Sequence, residues 1–376
     1  MVESKVLVRD CQFGASCTLR CGVQGMRWGE HGWHGLRIAF FAIFPFMVRL
    51  RFVILPCMLS MLLMGCNHRA ADNVVSSPGH AVKGGVLQNS PVLHVLGTLQ
   101  DGGAPHMGCD RPCCRNLFLR PATDRKVVSL GISDETEAGG ELAMFEATPD
   151  VASQLHALQS AAGLTDVLPS IFLTHAHIGH YAGLMNLGRE VLGAAGVQVY
   201  AMPRFRAFLE SNGPWDQLVS LGNVELHSLK ADSLVQVTKR VQARPILVPH
   251  RDEYSETVGY RILGPNRSVL FIPDINKWGL WDRDLAKELA LVDRAYLDAT
   301  FFDASEVGNR DMSEIPHPFM VETMALLSEL NASERAKIQF IHLNHTNPCL
   351  SDTSVAYRQV LEAGFQVARM HDEYPL

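Results

Sequence analysis

The chain has no surplus of positive charge. Its 33 Lys and Arg are outnumbered by 39 Asp and Glu, giving a net charge of -6. Without a basic face there is nothing to neutralise a phosphate backbone, so no nucleic-acid partner is expected. Internal repeats and low-complexity segments are missing too. Neither N-terminal apolar run reaches the roughly 20 residues that a bilayer-spanning helix needs. Phe52 to Met64 is about a dozen residues long, and Ile38 to Phe46 is broken by Pro45.

What is present is a crowd of imidazoles. Leu173-Thr174-His175-Ala176-His177-Ile178-Gly179-His180 places three histidines within six residues, directly after the branched run Pro169 to Thr174. That run has the length and character of a buried strand. A solvated, His-rich loop is the bland alternative. Imidazoles crowded this closely call for a common partner, and neutral imidazole is the commonest metal ligand.

Over residues 90 to 376 the chain resembles the metallo-β-lactamase superfamily, whose usual signature is His-x-His-x-Asp-His followed by a His, an Asp and a His. By that resemblance the later stations look like His250 after Pro245 to Val248, Asp274 after Ser268 to Ile272, and His345 after Lys337 to Ile341, each behind a short β-prone run as the fold requires. The resemblance implies an α+β fold, a four-layer αββα sandwich with metal-bearing loops at one edge of two sheets. It implies a first ion held by His175, His177, His250 and Asp274, and a second held by His180, His345 and a share of Asp274. One departure stands out: Gly179 occupies the place of the signature aspartate. Losing an anionic ligand weakens a site, so the expectation is one firmly bound metal and a weak, substrate-assisted or empty second site. Zinc is the default for such ligands, and iron or manganese suits them as well.

A second cluster, Gly102-Gly103-Ala104-Pro105-His106-Met107-Gly108-Cys109-Asp110-Arg111-Pro112-Cys113-Cys114, is similar to the pyrroloquinoline quinone biosynthesis protein B group and to phosphodiesterases of the carbon-phosphorus lyase pathway. Val248 to Glu253 and Asn344 to Pro348 share that similarity. It implies a structural zinc on Cys109, Cys113 and Cys114, with His342 as fourth ligand and His106 in reserve. Three thiolates and an imidazole suit tetrahedral zinc. A disulfide or free thiols is the competing reading, favoured by export.

Export is expected from the N-terminal region. Arg49 and Arg51 precede the apolar run, which ends in Leu63-Met64-Gly65-Cys66. A short positive segment, an apolar core and small residues at the cleavage point describe a secretory signal. Its ending resembles a bacterial lipoprotein box, implying lipidation of Cys66 and a chain anchored to a bacterial membrane and facing the periplasm. Residues 1–46, with Cys11, Cys17 and Cys21, do not fit this picture; translation from Met47 would make them a non-native extension. Residues 47–65 then form the signal and 66–89 a polar tether. About 310 residues remain after position 65, a normal size for one such sandwich.

The remaining pattern alternates strands and helices. Strands are expected at Val92 to Leu96, Leu117 to Leu119, Val127 to Ile132, Val258 to Ile262 and Ala295 to Leu297. Helices are expected at Val151 to Ala162, capped by Asp150, and at Tyr181 to Leu192, Pro203 to Ser211, Phe319 to Leu330 and Thr353 to Ala363.

A metal with an open position implies a hydrolase for a phosphodiester, ester or lactone of a small molecule, because the ion lowers the pKa of its water to about 7. Asp274 would orient that water, and His345 or His180 would meet the departing group. Asp298 and His317 look like the carboxylate–histidine proton-relay pair of related tRNA-processing nucleases; a turn-capping Asp and a surface imidazole are the alternative. Two further readings are an iron-dependent oxidative enzyme or carrier, as in the quinone-biosynthesis relatives, and a non-catalytic metal-binding lipoprotein.

Overall fold

The computed structural model describes residues 90–137, 139–307 and 315–376. The expected extension, signal, lipidation site at Cys66 and tether to residue 89 lie outside the described residues. Among the described residues no helix is long and apolar enough to cross a membrane.

Fourteen strands build the described region. The first six are β1 (Val92–Gly97), β2 (Ser129–Thr136), β3 (Gly139–Phe145), β4 (Ser170–Phe172), β5 (Val197–Ala201) and β6 (Val224–Ser228). The second group is β7 (Val235–Gln236), β8 (Gln242–Leu247), β9 (Val258–Leu263), β10 (Ser268–Ile272), β11 (Arg294–Asp298), β12 (Ile338–Ile341) and β13 (Gln366–Val367), and the C-terminal β14 (Glu373–Pro375) returns to the first group. They form two sheets of seven, ordered β14-β1-β2-β3-β4-β5-β6 and β13-β12-β11-β10-β9-β8-β7. Each sheet is half antiparallel and half parallel: β3 to β6 run parallel in one, β10 to β13 in the other.

Period-two alternation explains the layers. In β10, Val269 and Phe271 face the other sheet, while Leu270 and Ile272 face helices. The slab between the sheets joins Val95, Leu130, Ile132 and Phe145 to Tyr260, Phe271 and Tyr296. Outside one sheet lie the helices Val151–Ala162 and Pro203–Ser211; outside the other lie Leu285–Leu289, Met320–Leu326 and Val355–Glu362. This is the expected four-layer αββα sandwich. Each fully buried Leu or Phe contributes roughly 1.5–3 kcal/mol, so the frame rests on apolar burial rather than on the site.

Some local expectations are corrected. Leu117 to Leu119 is no strand. The Leu117 and Phe118 N–H groups both donate to the Cys114 carbonyl, and Phe118 and Leu119 are exposed. The long helix expected from Tyr181 is a turn of α-helix, Ile178–Tyr181, and a 3-10 segment, Ala182–Leu187. A Cβ at Gly183 would stand 2.0 Å from the Thr148 carbonyl oxygen, so this segment presses directly on the backbone after β3. Asp150 begins its helix without a side-chain cap; its carboxylate instead accepts from the Val127 N–H and from Lys126.

Candidate metal centre

The loops that leave β1, β4, β8, β10 and β12 converge at one edge of the sandwich. β4 delivers His175 and His177, with His180 on the following turn; β8 delivers His250, and β10 delivers Asp274. β12 ends at Ile341, so His342 is the first residue beyond it, turned inward by a left-handed backbone (φ 65). Asp101 arrives on the loop after β1. A backbone bridge between Leu99 and Leu343 holds that loop beside His342, with the Leu343 N–H donating to Thr98 and the Gln100 N–H donating to Leu343.

Ligand atoms about 2.1 Å from one ion at tetrahedral angles stand about 3.4 Å apart. The first group has that spacing. His250 Nε2 lies 3.1 Å from His177 Nδ1, and Asp274 Oδ2 lies 3.3 Å from His175 Nε2, 3.1 Å from His250 Nε2 and 3.9 Å from His177 Nδ1. The second group has it as well. Asp101 Oδ1 is 3.6 Å from His180 Nε2 and 3.3 Å from His342 Nε2, and Asp274 Oδ2 is 3.8 Å from His180 Nε2. Asp274 belongs to both groups.

Outer partners fix which ring nitrogen faces inward. His175 Nδ1 pairs with Thr174 Oγ1, His250 Nδ1 with Asn276 Oδ1, His342 Nδ1 with Thr300 Oγ1, and His177 Nε2 with Glu253 Oε2. His180 Nδ1 has the buried Glu146 carboxylate 3.3 Å away. The inward nitrogens His175 Nε2, His180 Nε2 and His342 Nε2 are buried without a hydrogen-bond partner. Buried polar atoms left unsatisfied are costly, and divalent ions answer for all of them together. The donor set fits the metal centre that the fold implies.

Several expectations change here. The structure gathers His342, rather than His345, with Asp101, His180 and Asp274, and His345, rather than His342, with the three cysteines; the two exchange places. His345 sits four residues past β12, stacked on His106 with ring centroids 4.3 Å apart, and joins Cys109, Cys113 and Cys114. Cys113 and Cys114 both belong to that group. Cys109 and Cys113 sulfurs are 3.8 Å apart, which is about the edge of a tetrahedron with 2.3 Å zinc–sulfur bonds. His106, the reserve ligand, contributes its backbone N–H to Cys114 Sγ instead. Asp101 was missed, although an Asp four residues past β1 and directly before Gly102-Gly103 was a usable signal. With it, the second group has its own carboxylate, so the reason for expecting a weak second site is removed. Glu146 was missed too; it is fully buried with a left-handed backbone (φ 83), a strained form typical of functional positions.

Asp298 and His317 are brought together. His317 Nδ1 lies 2.8 Å from Asp298 Oδ2 and 3.2 Å from Asp274 Oδ1, and Asp298 also accepts from the Thr300 N–H and hydroxyl. Asp298 therefore caps a turn and serves the pair at once.

Charge organises the centre. Burial would raise Asp274, but His317 and His250 hold it well below the usual carboxylate range. Burial and the His180 charge push His175 well below its ordinary value. Burial opposes protonation of His180, His317 and His342 as well, but the neighbouring carboxylates win, holding the first two well above their ordinary value and His342 at about 9. A pKa raised on folding stabilises fully below the unfolded value of about 6.5, and that stabilisation is lost as pH climbs through the folded value. The chelator-treated protein is therefore expected to lose on the order of 5 °C in Tm between pH 6.5 and 9. The ion-loaded protein, whose imidazoles carry no inward protons, should lose much less. Melting curves with and without chelator check this; a flat chelated profile contradicts it.

Two sets of imidazoles sharing one carboxylate, at the edge of an αββα sandwich, define a metal-binding protein of the metallo-β-lactamase fold. The beta-lactamase superfamily domain matches residues 143–342, and the chain belongs to that superfamily. Within it the chain is similar to coenzyme PQQ synthesis protein B of Methylococcus capsulatus, 26% identical over 307 residues that cover 74% of this chain and 97% of the relative. The same protein of Methylobacterium nodulans is 28% identical over 313 residues, with the same coverage. Zn(2+)-bound PqqB of Methylobacterium extorquens superposes with a TM-score of 0.62 at 21% identity, covering 76% of this chain and 100% of that one. A diphosphatase of the PhnP family does so with a TM-score of 0.52 at 21% identity, covering 76% and 97%.

Proposed function

We propose that the chain is a metal-dependent hydrolase acting on a phosphodiester, ester or lactone bond of a small molecule at a two-ion centre. The observation that carries this reading is the position of Asp274, whose Oδ2 lies within 3.9 Å of inward-facing nitrogens from both ligand groups. Divalent ions in such a centre lower the pKa of water to about 7 and polarise a phosphoryl or carbonyl oxygen. The chain's own residues supply the rest. His175, His177 and His250 would hold one ion and His180, His342 and Asp101 the other, while Thr174, Asn276, Thr300, Glu253 and Glu146 hold those rings in register. His317, whose Nδ1 lies 2.8 Å from Asp298 and 3.2 Å from Asp274, carries a second ring nitrogen that would pass a proton to a departing oxygen.

The reading is tested by turnover of phosphodiester and lactone substrates after reconstitution with zinc, manganese or iron. Loss of turnover in His177→Ala with the fold intact supports it, and unchanged turnover sinks it. His317→Gln is expected to lower kcat about 10²–10⁴-fold while metal content stays the same. Steady-state kinetics paired with metal analysis reads both, and a loss of metal in that variant would assign His317 a ligand role instead. The thiolate group is proposed to hold a structural zinc, the burial and crowding that push Cys113 up to about 11 being relieved by a cation.

A second reading, an iron-dependent oxidative enzyme or carrier, draws on the similarity to PqqB and on an all-nitrogen-and-oxygen centre that suits iron. Turnover only with iron and dioxygen would favour it. Export with lipidation at Cys66 is part of the proposal and is supported by Leu63-Met64-Gly65-Cys66; lipid labelling that survives Cys66→Ser would refute it.

A further inference from the structure

We infer that Asp101 is the second ion's own carboxylate ligand, moved to the loop after β1 in exchange for the side chain that the His-rich loop lacks at Gly179. The inference rests on the two-ion reading above. Two independent observations meet at one point. Asp101 Oδ1 stands 3.3 Å from His342 Nε2 and 3.6 Å from His180 Nε2, a tetrahedral spacing on one side of the second group. A Cβ built on Gly179 would lie 2.0 Å from Asp101 Cβ, 2.4 Å from its Cα and 3.0 Å from its Cγ. Any side chain at 179 therefore collides with the backbone that carries Asp101. The carboxyl carbon of an aspartate at 179 would lie about 1.5 Å beyond that Cβ, in the volume Asp101 already fills. The two positions are alternative sources of one negative charge, and glycine at 179 is the condition for Asp101 to enter.

The loop is built to hold that charge in place. Gln100 Nε2 donates to Asp101 Oδ1, and Gly103, with φ 64, turns the chain away immediately afterwards. The Leu99–Leu343 bridge ties Asp101 to His342 through backbone, so a ligand from each sheet reaches the second group as a fixed pair. An aspartate serving only as an ion-pair partner of the two imidazoles would share these distances but would not govern ion uptake.

Manganese(II) separates the possibilities, because it favours oxygen and imidazole ligands over the thiolate group. The wild-type chain is expected to take up two Mn(II) at this centre with an exchange-coupled paramagnetic resonance spectrum. Asp101→Asn, which keeps size and shape, is expected to weaken the second ion by more than the roughly 10–100-fold that loss of an outer partner already causes, leaving an uncoupled mononuclear spectrum. The double variant Asp101→Gly, Gly179→Asp is expected to recover the coupled pair. An Asp101→Asn chain that keeps two coupled ions overturns the inference alone. A folded double variant that recovers nothing overturns the claim that the two positions are exchangeable, and a wild-type chain that binds one ion or none overturns the two-ion reading itself. If the double variant does not fold, Asp101→Asn decides.

Discussion

Asp274→Asn empties both halves of the centre and lowers turnover by about a thousandfold or more, the equivalent of roughly 4 kcal/mol of transition-state stabilisation. The effect is expected to exceed that of any single histidine because Asp274 is common to the His175–His177–His250 group and the His180–His342 group, and none of these five histidines is. Its side chain is also the negative charge that balances His317 and the inward imidazoles. The amide has the same shape, so the strand end and the Ile275 N–H bond to Asp298 persist. Metal analysis and turnover on the same preparation, with circular dichroism as the control, check the expectation. A variant that retains two ions would remove the shared carboxylate from the account.

Cys114→Ser is expected to have the next largest effect, and to act at two places. The thiolate group gathers Cys109, Cys113 and Cys114 from the loop after β1 and His345 from the loop after β12. Those same loops carry Asp101 and His342 into the other centre. Structural zinc contributes folding free energy directly, so its loss is expected to lower Tm by on the order of 10 °C in a chain of this size. Freed loops should then lower occupancy of the second ion, while the first, held on β4, β8 and β10, stays bound. Melting curves and metal counts after mild chelation test this. Loss of both ions, or of neither, would contradict the shared-loop geometry.

Much of this arrangement could be read from the chain, because each ligand follows a short apolar strand and the spacing is local. The cluster 175 to 180 stood out by its own spacing, the family signature pointed to His250 and Asp274 at strand ends, and β10 falls on the expected Ser268 to Ile272. The exchange of His342 and His345 could not be read. It depends on whether β12 stops at residue 341 and on the sign of one φ angle, and a three-residue offset within a loop leaves no periodic trace. Asp101 escaped for a different reason: it meets its partners across the two sheets through a single bridge at Leu99 and Leu343, a contact between positions 244 residues apart. The pairing of Asp298 with His317 was legible only through the likeness to a proton-relay pair of tRNA-processing nucleases, since nothing in local composition links two side chains 19 residues apart.

The slab between the sheets contains none of the ligands; its members are apolar from Leu93 to Leu376. Chemistry and architecture are therefore separable in this molecule. Apolar burial supplies the frame, while the rim adds stability at the loops after β1 and β12 without placing a ligand in the slab. A trade such as the one proposed between positions 101 and 179 would be confined to the rim, since neither residue belongs to the layers beneath it.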